Sequence, residues 1–196
     1  MVALAARFAV WVVITACVAQ VIKIEATSLP VARMFSEWGY VESLQSLVLL
    51  LTVILLFTKR HLAPDARLLA TLMAIGFAIL LVRENDQVLE QWLPHGIWKY
   101  PAAVLAVMLA WLAWKGRATW PGQLKAFAQT PAFGMLSGGF LCLGFSRLLG
   151  RGSVWQAVMG ETYQRQVKNA VEEGVELFAL SLMLMAVIEW LLPRHD

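Results

Sequence analysis

Apolar residues occupy this chain in long unbroken blocks, with polar residues gathered between them. The blocks cover roughly residues 4–24, 40–58, 68–86, 97–114, 132–149 and 168–192. Each approaches the ~20 residues that a helix needs to cross ~30 Å of hydrocarbon. Backbone groups in lipid must find partners within their own element, and unalternating runs fit helices rather than barrel strands. The expected fold is therefore all-α: a polytopic bundle of about six transmembrane helices in one integral-membrane domain. Proline punctuates the pattern, with Pro30, Pro64, Pro94, Pro101, Pro121 and Pro131 in or beside the breaks.

Two blocks carry complications. The first, MVALAARFAVWVVITACVAQVIKI, has Arg7 ahead of its apolar stretch, and ITAC at 14–17 has the look of a lipoprotein cleavage box. The run continues past Cys17 to Ile24, so an uncleaved first transmembrane helix is expected. The third block has only about 15 uncharged residues between Arg67 and Arg83. To span a bilayer it must draw Arg83 and Glu84 onto its end, or thin the bilayer around it.

Composition sharpens the class. The 196-residue chain is 60% hydrophobic and 15% charged, far more apolar than a soluble domain. Its net charge of +3 is scattered and forms no basic stripe, so nucleic acid is not an expected partner. Cys17 and Cys142 both sit within apolar runs and read as small buried hydrophobes, not as a disulfide.

With six crossings both termini share a face. That face collects Arg7, Lys59, Arg60, Arg67, Lys115, Arg117, Lys125 and Arg194, with Asp65 and Asp196 as its clear acids. The opposite face holds Glu25, Glu37, Glu42, Glu84, Asp86, Glu90, Glu161, Glu172, Glu173 and Glu176. Lysine and arginine counts tie between the faces, so the positive-inside rule does not decide direction. Because several basic residues on the acidic face have acidic neighbours, the termini are expected in the cytoplasm, with a bacterial inner membrane as the location.

Three stretches could carry chemistry. In RQVKNAVEEGVELFAL, residues 165–180, Glu172 and Glu176 are spaced i,i+4, and Glu173 and Glu176 i,i+3. Like charges at that spacing repel unless a cation or protons relieve them. Lys168 stands i,i+4 from Glu172, Arg165 precedes it, and acids at a helix start also suit the dipole. Glu176 is followed by LFALSLMLMAV; at mid-membrane a carboxylate costs ~2.5–3.5 kcal/mol on insertion scales. In EWGYVESLQSLVLLL, Glu42 aligns with Gln45 and Ser46 as a polar stripe.

The third stretch, LLVRENDQVLEQWLPHGIWKYP, puts Arg83, Asp86 and Glu90 on one face of any helix that persists so far. His95 and Lys99 follow Pro94, and Trp92, Trp98 and Tyr100 suit an interfacial belt. Together these stretches predict a polar site at one membrane level. Glu176, Glu172, Glu84 and Glu42 are its candidate acid–base groups. Arg83, Asp86, Lys99 and Arg165 are candidates for holding a substrate or lipid headgroup. Glu172, Glu173, Glu176 and His95 are candidate metal ligands.

The donor set favours a hard divalent cation, magnesium, manganese or calcium, over zinc, which usually takes two or three histidines. Paired Glu-x-x-His motifs, HExxH and GxSxG are all absent. Locally, YVESLQSL resembles the acid-led polar helix start of alkaline-ceramidase-type membrane hydrolases. That family's paired His-x-x-x-His has no counterpart here, so the resemblance carries over no site residue.

The leading expectation is a carboxylate-rich site at the non-cytoplasmic face, binding a cation or polar lipid headgroup, with lipid hydrolysis or transfer as the candidate activity. A non-catalytic subunit of a larger membrane complex is the first alternative, with Gly134, Gly138 and Gly144 as a seam for a homo-oligomer or other partner. A small ion or proton transporter is the second. Transport needs mid-membrane polar groups in both halves, and the last block has almost none between Glu176 and Glu189. The stretch KGRATWPGQLKAFAQ, 115–129, is basic and aromatic and suits the cytoplasmic headgroup layer.

Overall fold

A computed structural model describes residues 2–30, 33–36 and 39–192. Expectations placed on Glu37, Arg194 and Asp196 lie outside the described residues. Within them the order is α1 (Val2–Ser28), α2 (Tyr40–Leu62), α3 (Arg67–Glu84), α4 (Asp86–Glu90), α5 (Lys99–Lys115), α6 (Trp120–Ala128), α7 (Pro131–Leu149), α8 (Gly152–Met159) and α9 (Arg165–Leu191). Two short 3-10 turns, Pro64–Ala66 and Gly160–Thr162, complete the helical elements, and no strand occurs among the described residues. The fold is all-α helical, as the block pattern predicts.

Five spans are long and apolar enough to cross a membrane: Ala5–Ser28, Tyr40–His61, Pro64–Glu84, Pro131–Leu149 and Arg165–Leu191. This fits an integral membrane protein. The fourth apolar block forms α5, whose 17 residues rise about 25 Å at 1.5 Å per residue. Helices α4, α6 and α8 are short and fall in the breaks between blocks.

Local chemistry explains the boundaries. Helix α2 has Glu42 in its first turn and Lys59, Arg60 and His61 in its last, matching the macrodipole at both ends. Helix α3 stops at Asn85, whose side-chain amide donates back to the Leu81 carbonyl at 2.9 Å. The third block therefore ends with α3. The one helix expected to carry Arg83, Asp86 and Glu90 on a shared face is interrupted at Asn85, with Asp86 and Glu90 on the separate α4. Helix α6 opens on Trp120-Pro121, where proline's missing N–H costs nothing.

The chain divides into two compact units. The first comprises Met1–Gln45 and Ser137–Met185, and the second Ser46–Leu136 and Ala186–Asp196. In the first unit Val18 of α1, Val41 of α2, Leu177 of α9 and Phe35 form a buried cluster, flanked by Ile22, Met34, Leu44 and Phe178. Helices α7 and α9 touch at Gly139: a Cβ there would lie 2.6 Å from Met183 Cγ and 3.0 Å from the Ala179 carbonyl oxygen.

In the second unit α3 packs along α5, and α6 crosses the start of α3, where the Gln123 side chain accepts the Leu69 N–H at 2.8 Å. Phe127 of α6 stacks at 4.7 Å on Trp190 and edge-on to Phe133 at 5.9 Å. Lys59 lies 5.1 Å from the Trp190 ring and donates to the Trp190 carbonyl at 2.7 Å, capping the end of α9. Both cysteines are free thiols, but Cys17 is exposed on α1 rather than buried; an outward apolar face there needs no internal partner.

Candidate functional site

The first unit holds two polar centres. One is Glu25, near the end of α1 and completely buried. Its carboxylate accepts the Phe35 N–H at 2.6 Å and the Val41 N–H at 2.7 Å. The second bond places a negative charge on the first turn of α2, where the helix dipole favours it. A Cβ on Gly39 would overlap the same carboxylate, so glycine is needed at that point. Phe35 itself takes a φ of 50°, unusual for a residue with a side chain. Its N–H bond to Glu25 and its ring in the core offset that strain.

The other centre lies between α7 and α9. Glu176 is 4% exposed, with Oε2 at 3.1 Å from the Arg147 guanidinium and Oε1 at 3.1 Å from the Ser146 hydroxyl. Ser146 is also 2.7 Å from the Leu143 carbonyl, and its one proton serves only one of these acceptors at a time. Arg147 reaches Glu172 as well, at 3.7 Å, and Lys168 donates to Glu172 at 2.7 Å. Gly150 leaves the space that the Glu172 carboxylate fills.

From α2, Gln45 donates through Nε2 to both the Glu173 carbonyl and its carboxylate, each at 3.1 Å. Gln45 is fully buried, and its Oε1 has no hydrogen-bond partner among the described residues. An orphaned acceptor of this kind costs about 1–3 kcal/mol.

The frame of α9 changes how these acids read. The helix begins at Arg165, three residues before the expected start, and no acid lies in its first turn. Glu172, Glu173 and Glu176 stand in the second turn and beyond, where the dipole no longer reaches. The dipole therefore does not account for them, and Arg147, Lys168, Ser146 and Gln45 do.

The second unit contains the other candidates. Arg83 and Glu84 meet only loosely, at 3.9 Å. Glu90 accepts the Gly96 N–H at 2.6 Å and sits 2.5 Å from Nδ1 of His95, with Gly96 at φ 82° closing the turn after Pro94. The Gly96 N–H first, then His95 and Lys99, hold the Glu90 carboxyl below its ordinary value of 4.5, against partial desolvation. Asp86, Glu90, His95 and Trp98 line an open cleft of about 400 Å³. His95 is thus occupied by a local carboxylate within its own turn.

Of the expected site residues in the first unit, Glu172 and Glu176 share Arg147, and Glu173 takes the Gln45 amide. Glu42 is half-buried in the first turn of α2, and Arg165 is exposed at the start of α9. Glu84, Arg83, Asp86, Lys99 and His95 belong to the second unit. Sequence reasoning did not single out Glu25, Ser146 or Arg147. Only Glu25 left a sequence trace: an acid closing an apolar run, followed by a connection ending in Gly39 before a helix start. A scan against protein-family models, a search of curated proteins and a search of solved structures each found no match.

Proposed function

We propose that this chain is an integral protein of a bacterial inner membrane that binds a hard divalent cation at the α9 carboxylates. Glu176 and Glu173 supply oxygens, with Glu172 one turn before Glu176, and Arg147 and Lys168 offset the charge of Glu176 and Glu172 in the cation's absence. The observation that carries this reading is Gln45. Its buried Oε1 has no donor among the described residues, while its amide nitrogen rests on Glu173. A cation gives such an acceptor a partner, and oxygen-only donor sets suit magnesium, manganese or calcium.

The half-exposed Arg147 side chain makes a polar approach to the otherwise buried Glu176. Lipid hydrolysis or transfer at this site would use Glu176 and Glu172 as acid and base, with the cation holding a headgroup. In this reading α5 serves as a sixth crossing, and both termini are cytoplasmic.

The test is metal analysis of protein purified without chelator or histidine tag, beside Glu176→Gln and Glu172→Gln. Near-stoichiometric magnesium, manganese or calcium that falls at least tenfold in Glu176→Gln is expected. Equal metal content in wild type and both variants, or none in any, sinks the reading. A second reading, as a subunit of a larger assembly, is favoured by α7. A Cβ at Gly134, Gly138 or Gly144 would meet nothing within 4 Å among the described residues, leaving a close-approach surface for another helix. Other chains co-purifying in stoichiometric amount would belong to that reading.

A further inference from the structure

The second unit contains a cleft of about 640 Å³ that the carboxylate site does not involve. Arg60, in the last turn of α2, and Arg67, the first residue of α3, line it together with Thr71, and Ile75, Met108 and Leu112 give it an apolar wall. Three observations bear on what it holds. First, neither arginine forms an ion pair among the described residues; the nearest specific contact of Arg60 is with the Phe57 ring, at 5.7 Å. Second, the arginines stand at the ends of two spans, Tyr40–His61 and Pro64–Glu84, where a bilayer puts its headgroups. Third, the apolar wall descends along α3 and α5 from that level. Arg67 to Ile75 is eight residues, about 12 Å of helix, toward the hydrocarbon.

Paired guanidinium groups above an apolar channel match one chemistry: a phosphodiester joined to acyl chains. Guanidinium forks bind phosphate oxygens through two parallel hydrogen bonds, which a lysine cannot do. We infer that this cleft binds one anionic phospholipid, its phosphate between Arg60 and Arg67 and an acyl chain along Ile75, Met108 and Leu112. The surroundings suit that occupant. Lys115 and Arg117 lie over the Trp111 and Trp114 rings at 5.0 and 4.7 Å, giving α5 an interfacial end of aromatic and basic groups. Thr71 commits its hydroxyl to the Arg67 carbonyl at 2.7 Å, so the arginines are the charged donors of the site.

The experiment is native mass spectrometry of the full chain released from mixed micelles containing phosphatidylglycerol, phosphatidylcholine, or inorganic phosphate without added lipid. One retained phosphatidylglycerol per chain is expected, with phosphatidylcholine retained at least tenfold less. Arg67→Gln and Arg60→Gln should each weaken retention about fivefold, from the ~1 kcal/mol that one basic residue contributes beside anionic lipid. Arg67 is exposed, so its variant has no packing to lose, and it carries the test if Arg60→Gln does not fold. Lys125→Gln, an exposed basic change outside the cleft, should retain lipid as wild type does. Retention unchanged in Arg67→Gln overturns the inference. So does equal retention of phosphatidylcholine, or a stoichiometric adduct of inorganic phosphate in the arm without lipid that is lost in Arg67→Gln.

Discussion

Glu25 shows what one residue can organise. A buried carboxylate without partners would be among the most costly groups in a helix end, yet two backbone N–H groups close on it, from Phe35 and Val41. Hydrogen bonds to a charged acceptor contribute about 1.5–3 kcal/mol each. Glu25→Gln keeps the shape, halves the acceptors and turns an amide N–H₂ toward a donor. It should lower unfolding free energy by about 2–3 kcal/mol, read as a lower thermal midpoint in detergent. Glu161→Gln, at an exposed position, should leave the midpoint in place. An unshifted midpoint for Glu25→Gln would show that the loop closes without the carboxylate. The spacing of Lys168 and Glu172 was legible in the sequence because i,i+4 neighbours meet on any helix. The contacts of Arg147 and Gln45 with α9 were not, since these side chains reach it from 29 and 128 residues away, although Gln45 itself stood out as part of a polar stripe.

At the scale of elements, the seam between α7 and α9 decides whether the buried polar centre exists. Ser146 and Arg147 extend from α7 toward Glu176 only because the two helices approach closely at Gly139. Gly139→Leu has little room: the Met183 side chain, 2.6 Å from the Cβ, must move, and the Ala179 carbonyl at 3.0 Å is backbone and cannot swing away. Overpacking of this kind costs about 1–3 kcal/mol, and here it should also draw Arg147 away from Glu176. Gly138→Ala, one residue earlier, meets nothing within 4 Å among the described residues and should be tolerated. Thermal midpoints in detergent compare the two. Equal midpoints would remove the seam as the organising contact. The same sequence pattern, small residues on an apolar helix, gave no means of telling these glycines apart.

For the molecule as a whole, α5 decides the number of crossings. Its 17 residues fall short of ~30 Å of hydrocarbon, but Lys99 and Lys115 at its two ends can extend their stems toward either interface. Val104, Val107, Trp111 and Trp114 are exposed along it, an apolar surface that suits lipid. With Cys17 and Cys142 replaced by alanine, His95→Cys and Arg117→Cys should react with a membrane-impermeant maleimide from opposite sides. Labelling of both from one side would make α5 a surface helix and leave five crossings.

The sequence by itself determined the helical class and the apolar spans, because hydrophobic blocks of bilayer length admit no other hydrogen-bonded solution. It also determined the local pairing of Lys168 with Glu172, which needs only helical geometry. It could not fix where α9 begins, since Val167 is the one apolar residue among 165–168. Nor could it find the partners of Glu25 and Glu176. The tertiary structure decided those, because a buried charge is satisfied by whatever backbone or side chain the packed fold brings within hydrogen-bond reach. Such groups come from distant turns of chain whose proximity no local pattern records.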